Sequence, residues 1–263
     1  MITTDFLPGS PCWLDLGCPE VSAGAAFYRS VFGWDFRSSG PDATGYGVFQ
    51  LEGATVAALG PLTERGARSA WMIYFRVPDA RASAEAVERL GGSVRVAPVD
   101  AGGWGRMGQF TDPLGAEFAV WQPGRSLGLE LVDQPGSLSW VELYTTDGEA
   151  ARRFYGELFG WQIHDIPLPG GTGAYALISP AGAGQERMQG GMMQLPADSL
   201  ARTGGRPYWH PVFAVANCDE TVTRVARGGG SVQLGPEDAE GVGRLAVCLD
   251  PYAADFVVLA PAP

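Results

Sequence analysis

The chain has 263 residues, 46% of them hydrophobic and eight of them Trp, and its 29 acidic against 18 basic residues give a formal net charge of −11. That length fills one or two cored domains. An acidic chain whose basic residues are scattered Arg, with no Lys at all, excludes nucleic acid and anionic membrane as partners.

The first predicted element is the alternating run CWLDLG at 12–17, a half-buried strand by its period of two. Leu14 and Leu16 take one face, Trp13 and Asp15 the other. The stretch 20–33 reads as a helix whose face carries Phe27, Tyr28 and Val31, stopped by Gly33. Strands follow near 34–39, 45–52 and 54–61. WMIYFRV at 71–77 restarts the plan, with a helix ended by glycines and strands at 93–99, 104–111 and 116–122. A stretch rich in Gly, Pro and Ser at 124–136 reads as a linker. SWVELY at 139–144 then opens a second round, through a helix stopped by Gly160 and strands at 161–167, 173–179 and 186–195. YWHPVFAV, another helix and three strands complete it by 259.

The second round is a copy of the first. FYRSVFGW at 27–34 returns as FYGELFGW at 154–161, and FTDPLGAEFAVW at 110–121 aligns with CLDPYAADFVVL at 248–259. The offset between copies grows midway, so copy two carries a loop insertion of about eleven residues. Repeats of this length decide the architecture. The chain is expected to be α+β, with domains at 8–123 and 137–261, each built from two βαβββ modules. The four cysteines, Cys12, Cys18, Cys218 and Cys248, lack CxxC spacing and are expected to be reduced structural thiols. No apolar run reaches membrane-spanning length, and MITTDFLPGSP lacks the regions of a secretory leader, so a cytoplasmic protein is expected.

Paired βαβββ modules, with FYxxxFGW on the first helix and DPxG before the last strand, resemble the vicinal-oxygen-chelate superfamily of glyoxalases, bleomycin-resistance proteins and extradiol dioxygenases. The resemblance covers nearly the whole chain and implies two tandem glyoxalase-like domains, each with a curved mixed sheet around a cavity. It implies metal ligands at three positions per cavity. These fall on Trp13, Met72 and Ala119 in copy one, and on Trp140, His210 and Val257 in copy two. Trp, Ala and Val do not ligate, and the chain has only two His, His164 and His210. Glyoxalase I and extradiol dioxygenase activities are therefore not expected, and neither a metal nor another cofactor is.

Alternation lists what the cavities hold instead. In copy one Trp13 shares its face with Asp15, Met72 with Tyr74 and Arg76, and Ala119 with Glu117 and Trp121. In copy two Trp140 shares its face with Glu142, and Val257 with Asp255. Tyr46 and Tyr175 follow similar Gly-rich turns, and Met192 lies in the pliable run GGMMQL. A Trp beside a carboxylate suits a flat organic ligand, which stacks while the acid orients a donor. The same residues have a plain structural reading: Trp as core, Asp15 and Glu142 paired with Arg106 and Arg244, Arg76 solvated at a strand end, His210 a satisfied core histidine.

Three functions follow. The first is a metal-independent protein that binds an aromatic natural product or toxic metabolite, in resistance or biosynthesis. The second is a metal-free isomerase, cyclase, lyase or accessory hydroxylase using His210 and Glu142 as acid and base. The third is an interaction module with filled cavities. Two fused copies allow a monomer, and a homodimer remains open.

Overall fold

The computed structural model describes residues 1–40, 45–62, 64, 66–167 and 173–262. The first half contains β1 (Pro11–Cys18), α1 (Val21–Phe32), β2 (Asp35–Ser38), β3 (Gly47–Leu51) and β4 (Ala54–Pro61). It continues with β5 (Ala70–Arg76), α2 (Ala80–Arg89), β6 (Ser93–Asp100), β7 (Gly105–Thr111) and β8 (Glu117–Pro123). The second half contains β9 (Leu138–Thr145), α3 (Gly148–Phe159), β10 (Gln162–Pro167), β11 (Ala174–Ser179) and β12 (Gly190–Gln194). It ends with β13 (Tyr208–Ala214), α4 (Cys218–Arg227), β14 (Ser231–Ala239), β15 (Gly243–Leu249) and β16 (Asp255–Pro261). The four βαβββ modules expected from the sequence are present. The Gly-rich turns before Tyr46 and after Pro167 lie partly outside the described residues.

Each half forms one eight-stranded mixed sheet, in the orders β2-β3-β4-β1-β5-β8-β7-β6 and β10-β11-β12-β9-β13-β16-β15-β14. The first strand of each module pairs parallel with the last, and the remaining pairs within a module are antiparallel. The insertion in copy two is divided. Residues 180–189 join β11 to β12, where only Glu52 and Gly53 join β3 to β4. A 3₁₀ segment, Ala197–Thr203, follows β12. The strand expected at 186–195 is thus shortened: a 3₁₀ turn at Gln185–Arg187 precedes it, and ladder pairing starts at Gly190.

Two compact units divide the chain by contacts. One comprises Met1–Trp13, Ile73–Gly128 and Trp140–Trp209; the other comprises Leu14–Met72, Leu129–Ser139 and His210–Pro263. Each unit therefore draws on both halves. Both repeated motifs owe their residues to this. In the first unit the Tyr155 hydroxyl donates to the Asp112 carboxylate at 3.0 Å and accepts from Trp209 Nε1 at 2.9 Å. Asp112 also accepts the backbone N–H groups of Leu114 and Ala116, at 2.8 and 2.9 Å. In the second unit Tyr28 donates to Asp250 at 3.3 Å and accepts from Trp71 at 3.1 Å. Burial pushes both aspartates up from their ordinary value. The Trp of each FGW is held by a backbone carbonyl: Trp161 by Gly9 at 2.8 Å, Trp34 by Gly136 at 2.7 Å. Around these hydrogen bonds pack fully buried aromatic rings, Phe75 and Phe118 in the first unit, Phe49, Phe213 and Phe256 in the second. Apolar burial supplies the driving force, and the Tyr, Trp and Asp groups buried with these rings satisfy one another.

Helices α1 and α3 stop at the glycines read from the sequence. Gly33 and Gly160 take the left-handed conformation, at φ 78° and 69°, and close α1 and α3. Asp79, Asp147 and Asn217 cap the N-termini of α2, α3 and α4. The four thiols are free and buried, with their pKa values raised by desolvation, Cys218 to about 11 and Cys248 to about 12. Among the described residues no helix is long and apolar enough to cross a membrane.

Candidate functional site

The best-defined polar array lies on the second-half sheet, within the first compact unit. Tyr175 on β11 donates its phenolic hydrogen to Glu142 Oε1 at 2.6 Å and accepts from Trp140 Nε1 at 3.0 Å. Trp140 and Glu142 are two apart on β9 and so share a face. Tyr175 lies two strands away, beyond β12. It crosses because Gly191 stands between, paired with Glu142 on one side and Leu177 on the other. A Cβ at Gly191 would overlap the phenol ring. Burial, then the charge of Glu142, raises the Tyr175 pKa well above the ordinary phenol value, so the phenol stays a hydrogen-bond donor.

The same face extends along the sheet. Tyr175 pairs in register with Met193, and Met193 with Tyr144. The Tyr144 ring meets the Tyr208 ring edge to face at 5.6 Å, and Arg202, from the 3₁₀ segment after β12, lies over Tyr208 at 5.7 Å. Tyr144, Met193 and Tyr208 escaped the sequence reading. Alternation along β9 could have found Tyr144, but the register between strands is needed for the others.

The second compact unit holds His210. Its Nδ1 lies 2.5 Å from Asp255 Oδ1, with the His side chain 1% exposed and the Asp side chain 11% exposed. The sequence paired His210 with Glu142 in function. The structure brings Asp255 to His210 and Tyr175 to Glu142, with Trp140 donating in turn to Tyr175.

In the first half, Trp13 and Trp121 come together as near-parallel rings, 17° apart with centroids at 6.5 Å. Tyr74 is buried and pairs with Ala119. Within the second unit Tyr46 lies against Gly60, which pairs with Gly17 on the strand of Asp15, and Met72 is half-buried on β5.

Three placements correct the sequence reading. Arg106 pairs in register with Gln122 and Asp100, while Met107 pairs with Trp121, so Arg106 is on the opposite face from the Trp pair. Arg244 likewise alternates with Leu245, and it grips Asp219 at 2.7 and 2.9 Å and Asp238 at 3.2 Å at the surface. Neither arginine neutralises a first-strand acid, because one residue of offset on a strand reverses the side. Met192 also lies on the reverse face, paired with Leu143, where it lines a cleft of about 730 Å³ with Ala174, Ala176, Arg152 and Gln194.

The residues do not fit a metal. The implied ligand positions carry Trp13, Met72 and Ala119, and Trp140, His210 and Val257, and only His210 is a good donor. Among the described residues no group of three His, Cys, Asp or Glu side chains is placed to hold a metal ion.

Comparison with known proteins adds the following. The glyoxalase-like domain family matches residues 12–121, and the glyoxalase/bleomycin resistance protein/dioxygenase superfamily matches residues 137–256. Anthracycline biosynthesis protein DnrV of Streptomyces peucetius is 40% identical, over 97% of this chain and 94% of its own length. The 2,3-dioxygenase LapB of Pseudomonas sp. KL28 superimposes with a TM-score of 0.67 at 14% identity, covering 97% of this chain and 94% of LapB. The Mn(II)-bound glyoxalase of Novosphingobium aromaticivorans gives 0.63 at 18% identity, covering 97% of this chain and 88% of that one. At such identities these two structures share the fold alone.

Proposed function

We propose, from the premise that this chain belongs to the glyoxalase/bleomycin resistance protein/dioxygenase superfamily, that it is a metal-independent binder of a flat aromatic small molecule. Its role in this reading is accessory to natural-product biosynthesis, in the cytoplasm, as its relative DnrV is named for anthracycline biosynthesis. The Trp140–Tyr175–Glu142 array carries the reading. An indole with a carboxylate two residues away offers a stacking surface and a fixed acceptor. A ligand with a hydroxyl or cationic group beside its rings gains from both. The donor set is wrong for a metal, so affinity has to come from stacking, hydrogen bonding and shape.

Titration with an aromatic polyketide of the anthracycline type, read by quenching of Trp fluorescence, tests this. Saturable binding is expected, unchanged by prior chelator treatment. Trp140→Ala and Glu142→Gln should each weaken it by roughly tenfold. Elemental analysis that finds a stoichiometric transition metal held by side chains would sink the metal-independent reading, and an absence of saturable binding would sink the rest.

One observation favours a second reading, a metal-free enzyme. A buried His held through Nδ1 by a carboxylate is oriented for proton transfer at Nε2. In that case His210→Ala and Asp255→Asn abolish turnover of a pathway intermediate while the fold survives. Turnover unaffected by either variant removes this reading.

A further inference from the structure

The first-half sheet carries a second aromatic surface that the Glu142 array does not use. Trp121 on β8 is a rigid platform. It is 9% exposed, and its Nε1 is anchored by the Ser126 carbonyl at 3.0 Å. Gly105, across the hairpin, leaves room for the indole, since a Cβ there would overlap the ring. Trp13 is half-buried and lies nearly parallel to Trp121, with ring centroids at 6.5 Å, close to the outer limit of an aromatic stack.

Asp15 follows Trp13 on β1 as Glu142 follows Trp140 on β9, but β5 adds a cation here, Arg76. Arg76 pairs in register with Trp121 and is half-buried at the end of β5. Among the described residues it forms no ion pair, although its charge is felt by the buried Cys12 thiol. The acid on this face of β8, Glu117, is held by Arg95 at 2.7 Å. Gln109 and Ala119, paired in register, add a neutral hydrogen-bonding group and a small floor. Two indoles beside a guanidinium with no carboxylate of its own favour the opposite ligand from Trp140 and Glu142.

We infer that Trp13, Trp121 and Arg76 form a second ligand site in the first half, for a planar aromatic acid. The rings stack on the indoles, and the carboxylate or an ionised phenol meets Arg76. Arg recognises carboxylates in a planar, bidentate way, which matches a flat ligand held edge-on to the guanidinium. The chain then binds two aromatic molecules of opposite charge preference.

The test uses the full chain and two probes, anthraquinone-2-carboxylate and the neutral 2-(hydroxymethyl)anthraquinone, titrated by calorimetry. The acid should bind wild type roughly tenfold more tightly than the neutral probe. Arg76→Gln should erase that preference and leave the neutral probe's affinity in place. Trp13→Ala should weaken both, and Trp13→Phe should recover most of the loss. Glu88→Gln, exposed on α2 and away from both aromatic faces, should change neither. Equal binding of the two probes to wild type overturns the inference, as does a preference that survives Arg76→Gln. Acid binding that is lost in Glu142→Gln instead overturns it while leaving the Glu142 site standing. A failure of the Glu142 site to bind its own ligand, with these results intact, sinks only that earlier reading.

Discussion

Gly191 shows how one missing atom shapes the site. It is an ordinary residue of β12 by register, yet its lack of a side chain lets the Tyr175 ring cross the strand and reach Glu142. Gly191→Ala should therefore act twice. Overpacking of this kind costs about 1–3 kcal/mol, visible as a lower Tm. Displacing Tyr175 should also weaken aromatic-ligand binding, read by fluorescence titration, while Gly156→Ala, at a helical position with open space around it, leaves binding unchanged. Binding equal to wild type in Gly191→Ala would show that the Tyr175 crossing does not matter to the ligand. The sequence marked Trp140, Glu142 and Tyr175 separately, the first two by alternation and the third by its turn. It did not mark Gly191, because a glycine in a strand has no hydropathy and its meaning lies in a neighbour two strands away.

At the scale of elements, the repeated motifs are two parts of one device. The helix motif FYxxxFGW supplies a Tyr, and the turn before the last strand supplies a buried Asp. In the first unit this ties α3 to the turn between β7 and β8; in the second it ties α1 to the turn between β15 and β16. Both aspartates have pKa values raised by burial. A raised carboxylate favours folding fully below its unfolded value, about 3.8, and this contribution is lost as pH rises through the folded value. Asp112→Asn keeps an acceptor for the backbone N–H groups without the charge. The stability of wild type relative to Asp112→Asn should therefore be greatest near pH 3.8 and decline toward pH 7. Denaturant melts across that range check it, and a difference that grows with pH would contradict the burial argument. The sequence revealed both motifs through their repetition, but as a ruler for alignment. That Tyr and Asp touch was hidden, since they come from opposite halves of the chain.

For the whole molecule the consequence is that the sequence repeat and the compact unit are different objects. The sheets follow the repeat: each half pairs its own strands. The cores do not. In the second unit Phe32 and Trp34 of the first half pack on Phe213 of the second, and Tyr28 on Phe256. In the first unit Phe75 packs on Phe159, Trp161 and Trp209. A chain cut to residues 1–123 would expose these rings, and burying one such side chain is worth about 1.5–3 kcal/mol. Expressed alone, it should be aggregated or dimeric, whereas mixing it with residues 124–263 should restore a soluble complex. Sedimentation velocity distinguishes these outcomes, and a stable monomeric half with a cooperative melt would contradict the shared cores.

The sequence by itself determined the duplication, the four βαβββ modules, the helix ends and the loss of metal-ligating side chains. Each of these is local or periodic, encoded in residue type and spacing. Only the tertiary structure decided which faces meet. It placed Arg106 and Arg244 on the reverse side of their strands, gave His210 to Asp255, and paired α1 with α4 and α2 with α3 across the two halves. The physical reason is that hydrophobic faces are non-directional. Two copies of one module present nearly identical apolar surfaces, and a sequence lists such surfaces without saying which of them pack together.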